Sequence, residues 1–103
     1  MKNCDRLIEI VSNEELNMGT LEERELWIRA SVALQFVKMR EEMGLTQGDV
    51  AKKMGVSFQQ ISKFEGLVNS PTLMFLTKYA KALDTTFDVL LRDVNYYNES
   101  EII

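Results

Sequence analysis

The chain of 103 residues contains no histidine, one cysteine, one proline and no long apolar run. Without histidine, it lacks the commonest general base and metal ligand of enzymes. Neither Cys4 nor the serines have an evident activating partner, and no glycine-rich phosphate loop or metal-ligand spacing appears. We therefore expect no catalytic residues, no cofactor and no metal site.

The same scarcities bear on location. Cys4 cannot form an internal disulfide, so nothing indicates an oxidising compartment. Asp5 and Glu9 interrupt the apolar positions near the N-terminus, unlike a signal peptide. No apolar run approaches the roughly 20 residues that span a membrane. We expect a cytoplasmic protein with no membrane contact and a length that suits one domain.

Charge is distributed unevenly along the chain, whose formal net charge is -4. Residues 1–37 carry a net charge of -3, residues 38–81 carry +3, and residues 82–103 carry -4. A basic middle segment suits contact with phosphate groups, whereas the acidic flanks oppose non-specific association with nucleic acid. We expect weak affinity for random DNA.

Helical signals dominate the first half of the chain. A first helix is predicted from Asn3 to about Ile10, and a long helix from Thr20 to about Met43. Ser12 with Glu15, and Thr20 with Glu23, resemble capping boxes. The long helix is predicted to bury one stripe of residues, widened by four smaller ones: Ile28, Val32, Gln35, Phe36, Met39 and Met43, with Ala30, Ala33, Leu34 and Val37.

The middle of the chain reads TQGDVAKKMGVSFQQISKFE from Thr46 to Glu65. Thr46 is predicted to cap a short helix, and Gly55 to end it, because a tight turn needs a residue that accepts a positive φ. Ser57 is predicted to cap a second helix, Phe58–Glu65. This is the spacing of a helix-turn-helix, whose second helix enters the major groove of DNA.

Two further elements are predicted towards the C-terminus. Ser70 and Pro71 are expected to start a helix as its cap and first residue. Its inward residues are predicted to be Leu73, Leu76, Ala80 and Leu83. Residues 86–93 form either a last helix or a strand, since Phe87, Leu90, Leu91 and Val94 share a helical face, while Phe87, Val89 and Leu91 alternate.

Residues 36–92 resemble the lambda-repressor-like, Cro-type helix-turn-helix family, also called the xenobiotic-response-element family. The matching segments are FVKMREEMGLTQGDVAKKMGVSFQQISKFE and SPTLMFLTKYAKALDTTFDVLL. The resemblance implies an all-α fold with a five-helix DNA-binding domain at 31–94, an N-terminal helical extension at 1–30 and a tail at 95–103. It also implies a transcriptional regulator, by expectation a repressor, that binds a palindromic operator in double-stranded DNA as a homodimer.

The family assigns roles to particular residues. The helix at 58–65 becomes the recognition helix, and its residues facing the major groove are Phe58, Gln59, Gln60 and Lys63. Gln47 matches a phosphate-binding glutamine, and weaker phosphate candidates are Ser57, Ser62 and Asn69. Arg40 and Glu65 occupy the positions of a structural ion pair. The chain departs from the family after Glu65, where no Lys or Arg occurs before Lys78, so the usual phosphate contact of that loop is in doubt.

The segments ELWIRASVALQFVKMREEMGLTQ and SPTLMFLTKYAKALDTTFDVLL also resemble helix-turn-helix antitoxins. This resemblance implies an alternative function, an antitoxin that represses its own operon and binds a toxin, and the acidic extension suits such a partner, which is often basic. That extension also fits a dimer contact or a cover over the core, and Trp27 fits either the core or a partner-binding patch. The dimer interface itself is predicted at the C-terminal apolar stripe of Phe87, Leu90, Leu91 and Val94.

Overall fold

The computed structural model describes residues 3–86, with side chains from residue 5 onward. Within these residues the chain forms six α-helices and no strand, which confirms the all-α prediction. The helices are α1 (Asn3–Ser12), α2 (Glu14–Asn17), α3 (Leu21–Glu42), α4 (Gln47–Met54), α5 (Phe58–Glu65) and α6 (Leu73–Ala82). None of these six is long and apolar enough to cross a membrane. The choice between helix and strand at 86–93 lies almost wholly outside the described residues.

Three of the predicted helix starts are confirmed in atomic detail. Thr20, Thr46 and Ser57 each accept a hydrogen bond from the amide three residues later, and each forms a reciprocal capping box. The predicted capping box at Ser12 is wrong. Because α1 continues through Ser12, the cap of α2 is Asn13, whose side chain makes no capping hydrogen bond.

The start of α6 is also not where the Ser70-Pro71 pair predicts it. Thr72 caps the helix by accepting a hydrogen bond from the amide of Phe75 at 3.0 Å. The hydroxyl of Ser70 instead donates a hydrogen bond to Glu25, with 2.7 Å between Oγ and Oε2, although the two residues are 45 positions apart in sequence. Leu73 becomes the first residue of α6 and is 78% exposed, so its predicted inward position is wrong.

The buried face of α3 differs in part from the predicted stripe. Ile28 and Met43 are exposed, whereas the buried residues are Ala30, Ser31, Ala33, Leu34, Phe36, Val37 and Arg40. This helix contacts α1, α2 and α5, so its inward face is set by neighbours on more than one side. Ala30 and Ala33 are completely buried, and their small side chains allow neighbouring helices to pack closely against α3.

An aromatic cluster fills the centre of the core. The ring centroids of Phe36 and Tyr79 are 4.6 Å apart, and those of Phe64 and Phe75 are 5.3 Å apart. Phe36 meets Phe64 edge-on at 5.8 Å. These arrangements are the ones aromatic pairs favour, and they join α3, α5 and α6 around one centre.

The N-terminal extension packs onto this core. Leu7 of α1 is completely buried, and Ile10 and Val11 pack beside the core. Trp27 is half-buried, and its indole N–H donates a hydrogen bond to the carbonyl of Val11 at 3.0 Å, which links α3 to α1. The proposed domain boundary at residue 30 falls inside the continuous helix α3. The extension therefore covers part of the core.

If α1 belongs to the folded core, Leu7→Ala lowers the free energy of unfolding by about 2–5 kcal/mol, as truncation of a buried leucine does. Urea denaturation measures the change. Ile8→Ala is the matched control, because Ile8 is the neighbouring residue and is 44% exposed; it is expected to cost much less. Equal losses in the two variants would show that α1 is not packed as described.

Candidate nucleic-acid interface

The turn between α4 and α5 fixes how the second helix leaves the first. Gly55 adopts the left-handed conformation, with φ of 72°. The amide of Val56 then donates to the carbonyl of Ala51 at 3.0 Å and closes the end of α4. This is the glycine-based helix stop that was predicted, and a residue with a Cβ would be strained there.

Helix α5 has one buried face and one solvent-exposed face. Ile61, Phe64 and Glu65 are buried against the core. The residues predicted to face DNA bases are all exposed: Phe58, Gln59, Gln60 and Lys63. Ser62 is half-buried, while Ser57 and Asn69 are exposed before and after the helix. The structure therefore leaves a polar helical surface open to a ligand.

Two of the predicted glutamines already have partners within the protein. Gln60 Oε1 accepts a hydrogen bond from the amide of Ser57 at 3.0 Å as part of the capping box. Gln47 Nε2 donates to Glu65 Oε1 at 2.8 Å. Gln59 is exposed on the same surface, which makes it the strongest candidate for pairing with the edge of a base.

The start of α4 lies beside the start of α5. Gln47 and Phe58 line one shallow groove with Arg40, Glu41, Gly44, Leu45, Thr46 and Gly48. The first turn of α4 carries the positive end of the helix dipole, which suits a phosphate. In the same turn, the hydrogen bonds that Asp49 accepts from the amide and hydroxyl of Thr46 lower its pKa from the usual 3.8. Gln60 and Asn69, two of the predicted DNA-binding residues, line a separate surface depression together with Phe64 and Phe75.

The carboxylate of Glu65 joins four helices. Arg40 Nε donates to Glu65 Oε2 at 3.0 Å, and Arg40 Nη2 donates to Oε1 at 2.8 Å. The hydroxyl of Tyr79 donates to Oε2 at 2.7 Å, and Gln47 supplies the fourth hydrogen bond. Glu65 is only 1% exposed. One side chain of α5 thus contacts α3, α4 and α6, and each of its oxygens accepts two hydrogen bonds.

The contacts with Glu65 shift the pKa values of Arg40 and Tyr79. Burial opposes the charge on the Arg40 guanidinium, but the hydrogen bond and the negative charge of Glu65 outweigh it and raise the pKa of Arg40. Burial and the charge of Glu65 raise the pKa of Tyr79 far above its ordinary value of 10. The phenol therefore stays protonated and donates its hydrogen bond throughout the working pH range.

Sequence reasoning identified part of this network. Arg40 and Glu65 were paired from the family resemblance, and the structure brings them together in a bidentate salt bridge. The contributions of Tyr79 and Gln47 to Glu65 were missed. The periodicity of α6 places Tyr79 inward with Leu76 and Leu83, and a buried phenol needs a partner; that signal could have located it. The predicted dimer residues Phe87, Leu90, Leu91 and Val94 lie outside the described residues.

The chain is similar in sequence to a helix-turn-helix family and to individual known proteins. A family model described as "Helix-turn-helix" matches residues 37–90. The chain is 35% identical over 85 residues to "Antitoxin HigA1" of Mycobacterium tuberculosis, in strains CDC 1551 / Oshkosh and ATCC 25618 / H37Rv. It is 38% identical over 56 residues to "Uncharacterized HTH-type transcriptional regulator y4dJ" of Sinorhizobium fredii (strain NBRC 101917 / NGR234). No solved structure matches significantly.

The matched lengths differ between these relatives. The match to the antitoxin covers 82% of this chain and 56% of that protein, so the chain spans little more than half the length of the antitoxin. The match to the regulator covers 54% of this chain and 73% of that protein. The antitoxin match is longer than the 37–90 segment by 31 residues, and only 13 residues follow residue 90. It therefore includes part of the chain before residue 37.

Removing Glu65 is expected to leave the charge of Arg40 buried without its partner. Glu65→Ala then lowers the free energy of unfolding by about 3–5 kcal/mol, and it weakens DNA binding because α5 loses its tie to α3 and α4. Urea denaturation and operator binding measure the two effects. Glu42→Ala, at an exposed glutamate of α3 that does not line the groove, is the control and should change stability by less than about 0.5 kcal/mol. A Glu65→Ala protein with wild-type stability and affinity would refute this assignment.

Proposed function

The chain belongs to the helix-turn-helix family whose model spans residues 37–90, and we propose that it is a transcriptional repressor that recognises a palindromic operator as a homodimer. DNA binding follows from the family. The proposal adds the sequence-specific mode of recognition, with α5 in the major groove and its exposed residues at the base edges. Two copies of α5 about 34 Å apart would read half-sites one helical turn apart.

The observation that carries the proposal is the two-sided character of α5. Its inner face is held by a buried carboxylate with four hydrogen bonds, so the outer face is presented rigidly. The outer face offers the amide of Gln59, the ring of Phe58 and the ammonium group of Lys63. An amide pairs with adenine, an apolar ring contacts a thymine methyl group, and an ammonium group suits guanine or a phosphate.

Phosphate contacts are assigned to the groove beside α5. The first turn of α4 supplies the positive end of the helix dipole, and Gln47 lines the same groove. Because the side-chain amide of Gln47 donates a hydrogen bond to Glu65, the Gln47 side chain is oriented before DNA binds. Ser57, Ser62 and Asn69 supply further polar groups around α5. Few of these groups are charged, so affinity for random DNA is expected to be low.

A second function, that of an antitoxin, is favoured by one specific observation. The similarity to the antitoxin extends before residue 37, beyond the segment that matches the helix-turn-helix model. Residues 1–37 have a net charge of -3, which complements a basic protein partner. We propose that a toxin binds this N-terminal segment while α5 binds the operator of the same operon.

The operator prediction is tested by selecting duplexes from random DNA. An enriched palindrome is expected, and Gln59→Ala should weaken binding to it by about 1–3 kcal/mol, since a well-placed base contact is worth that much. Asn13→Ala also removes an exposed side-chain amide, at a site outside the helix-turn-helix, and should leave affinity unchanged. If selection enriches no sequence, or if the Gln59 variant binds the selected duplex as tightly as wild type, recognition through α5 is wrong.

The antitoxin prediction is tested by co-expression with the product of the adjacent small reading frame, followed by pull-down. A complex is expected, and charge reversal of exposed acidic residues in the extension (Glu14→Lys with Glu15→Lys) should weaken it. Reversal at Glu41 and Glu42, which are exposed on α3, changes the net charge equally and serves as the control. Recovery of the chain without its neighbour would reject the antitoxin role.

A further inference from the structure

The loop after α5 is held by arginines from the N-terminal part of the chain. Arg6 Nη1 of α1 donates to the carbonyl of Gly66 at 3.1 Å. Arg29 Nη1 of α3 donates to the carbonyl of Leu67 at 3.0 Å. These bonds cross 60 and 38 residues of sequence. Both arginines precede the segment that matches the helix-turn-helix model.

A third contact continues this attachment along the loop. Ser70 donates its hydroxyl proton to Glu25 Oε2, and Glu25 also forms a salt bridge of 2.8 Å with Arg29 Nε. The side chain of Arg29 is only 19% exposed. Arg29 therefore contacts the loop both directly and through Glu25 and Ser70.

The loop needs such support because its backbone is unusual. Leu67 adopts the left-handed conformation, with φ of 61°, and is buried. Side chains other than glycine rarely adopt this conformation, and it persists where the surroundings enforce it. The arginine bound to the Leu67 carbonyl supplies part of that enforcement. It also places positive charge near the C-terminal end of α5, where the helix dipole favours it.

We propose that Arg29, assisted by Arg6, is a positioning residue for DNA recognition: it fixes the C-terminal end of α5 and the loop Gly66–Ser70 from the N-terminal segment. This inference rests on the proposed recognition through α5. The loop has no Lys or Arg of its own, and the two arginines act on its carbonyls.

Positioning and general electrostatic attraction make different predictions for Arg29. Loss of a positive charge alone lowers affinity for the operator and for random duplex by the same factor, because both bind through phosphates. Loss of positioning lowers affinity for the operator selectively. Arg24 provides the matched control, since it also lies on α3 and donates Nε to a backbone carbonyl, that of Gly19, at 3.0 Å.

The experiment measures binding of Arg29→Ala, Arg29→Lys, Arg6→Ala and Arg24→Ala to the selected operator and to random duplex, with each variant confirmed as folded. The ratio of operator affinity to random-duplex affinity should fall about three- to tenfold for Arg29→Ala, less for Arg6→Ala, and not at all for Arg24→Ala. Arg29→Lys keeps the charge and a donor, and should recover part of the loss.

Hydrogen exchange in the free protein supplies an independent measurement. The amides of Gly66 and Val68 donate to the carbonyls of Ser62 and Lys63, each at 2.9 Å. Both amides should exchange faster in Arg29→Ala and at the wild-type rate in Arg24→Ala. If Arg29→Ala does not fold, Arg6→Ala provides both measurements.

Unchanged affinity ratios in the Arg29 and Arg6 variants would overturn the positioning role, whatever their stability. Unchanged exchange at Gly66 and Val68 would overturn the attachment itself. If the wild-type protein selects no duplex, the proposed function fails and the DNA-related half of this inference fails with it. The exchange rates still decide whether the N-terminal segment fixes the loop.

Discussion

The architecture depends on the buried carboxylate of Glu65. A carboxylate without partners would be too costly to bury, and this one accepts four hydrogen bonds. That requirement brings together Arg40 of α3, Gln47 of α4 and Tyr79 of α6. The two helices of the helix-turn-helix therefore have their relative position set by a polar network in addition to the aromatic core. The burial of Glu65, the last residue of α5, thereby helps to determine which face of that helix is exposed to solvent.

The N-terminal extension is part of this arrangement. Leu7 is completely buried, Trp27 links α3 to the carbonyl of Val11, and Arg6 and Arg29 reach the loop after α5. Residues before the family match therefore contact both the core and the loop that follows α5. The N-terminal segment, with a net charge of -3 over residues 1–37, is thus joined by hydrogen bonds to the loop that follows α5.

Structural features that depend on residues close in sequence could be predicted from the sequence. The helix caps at Thr20, Thr46 and Ser57, and the turn at Gly55, depend on residues three or four positions apart, and the sequence predicts all four positions. Errors arose where distant residues compete. Ser70 resembles a helix cap but binds Glu25, and Ile28 follows the apolar period of α3 but remains exposed. The Arg40–Glu65 pair came from family resemblance, whereas no local pattern reveals that Arg29 binds the Leu67 carbonyl. Tertiary contacts of this kind override local preference.

We propose that the hydrogen bonds to Glu65 fix the inner face of α5 and that the exposed face of α5 contacts the bases of DNA. The most direct test is an experimental structure of the protein bound to its selected operator duplex. We expect α5 to lie in the major groove with Gln59 at a base edge, and Glu65 still to accept hydrogen bonds from Arg40, Gln47 and Tyr79. A complex in which another element occupies the groove, or in which the bonds to Glu65 are broken, would contradict it.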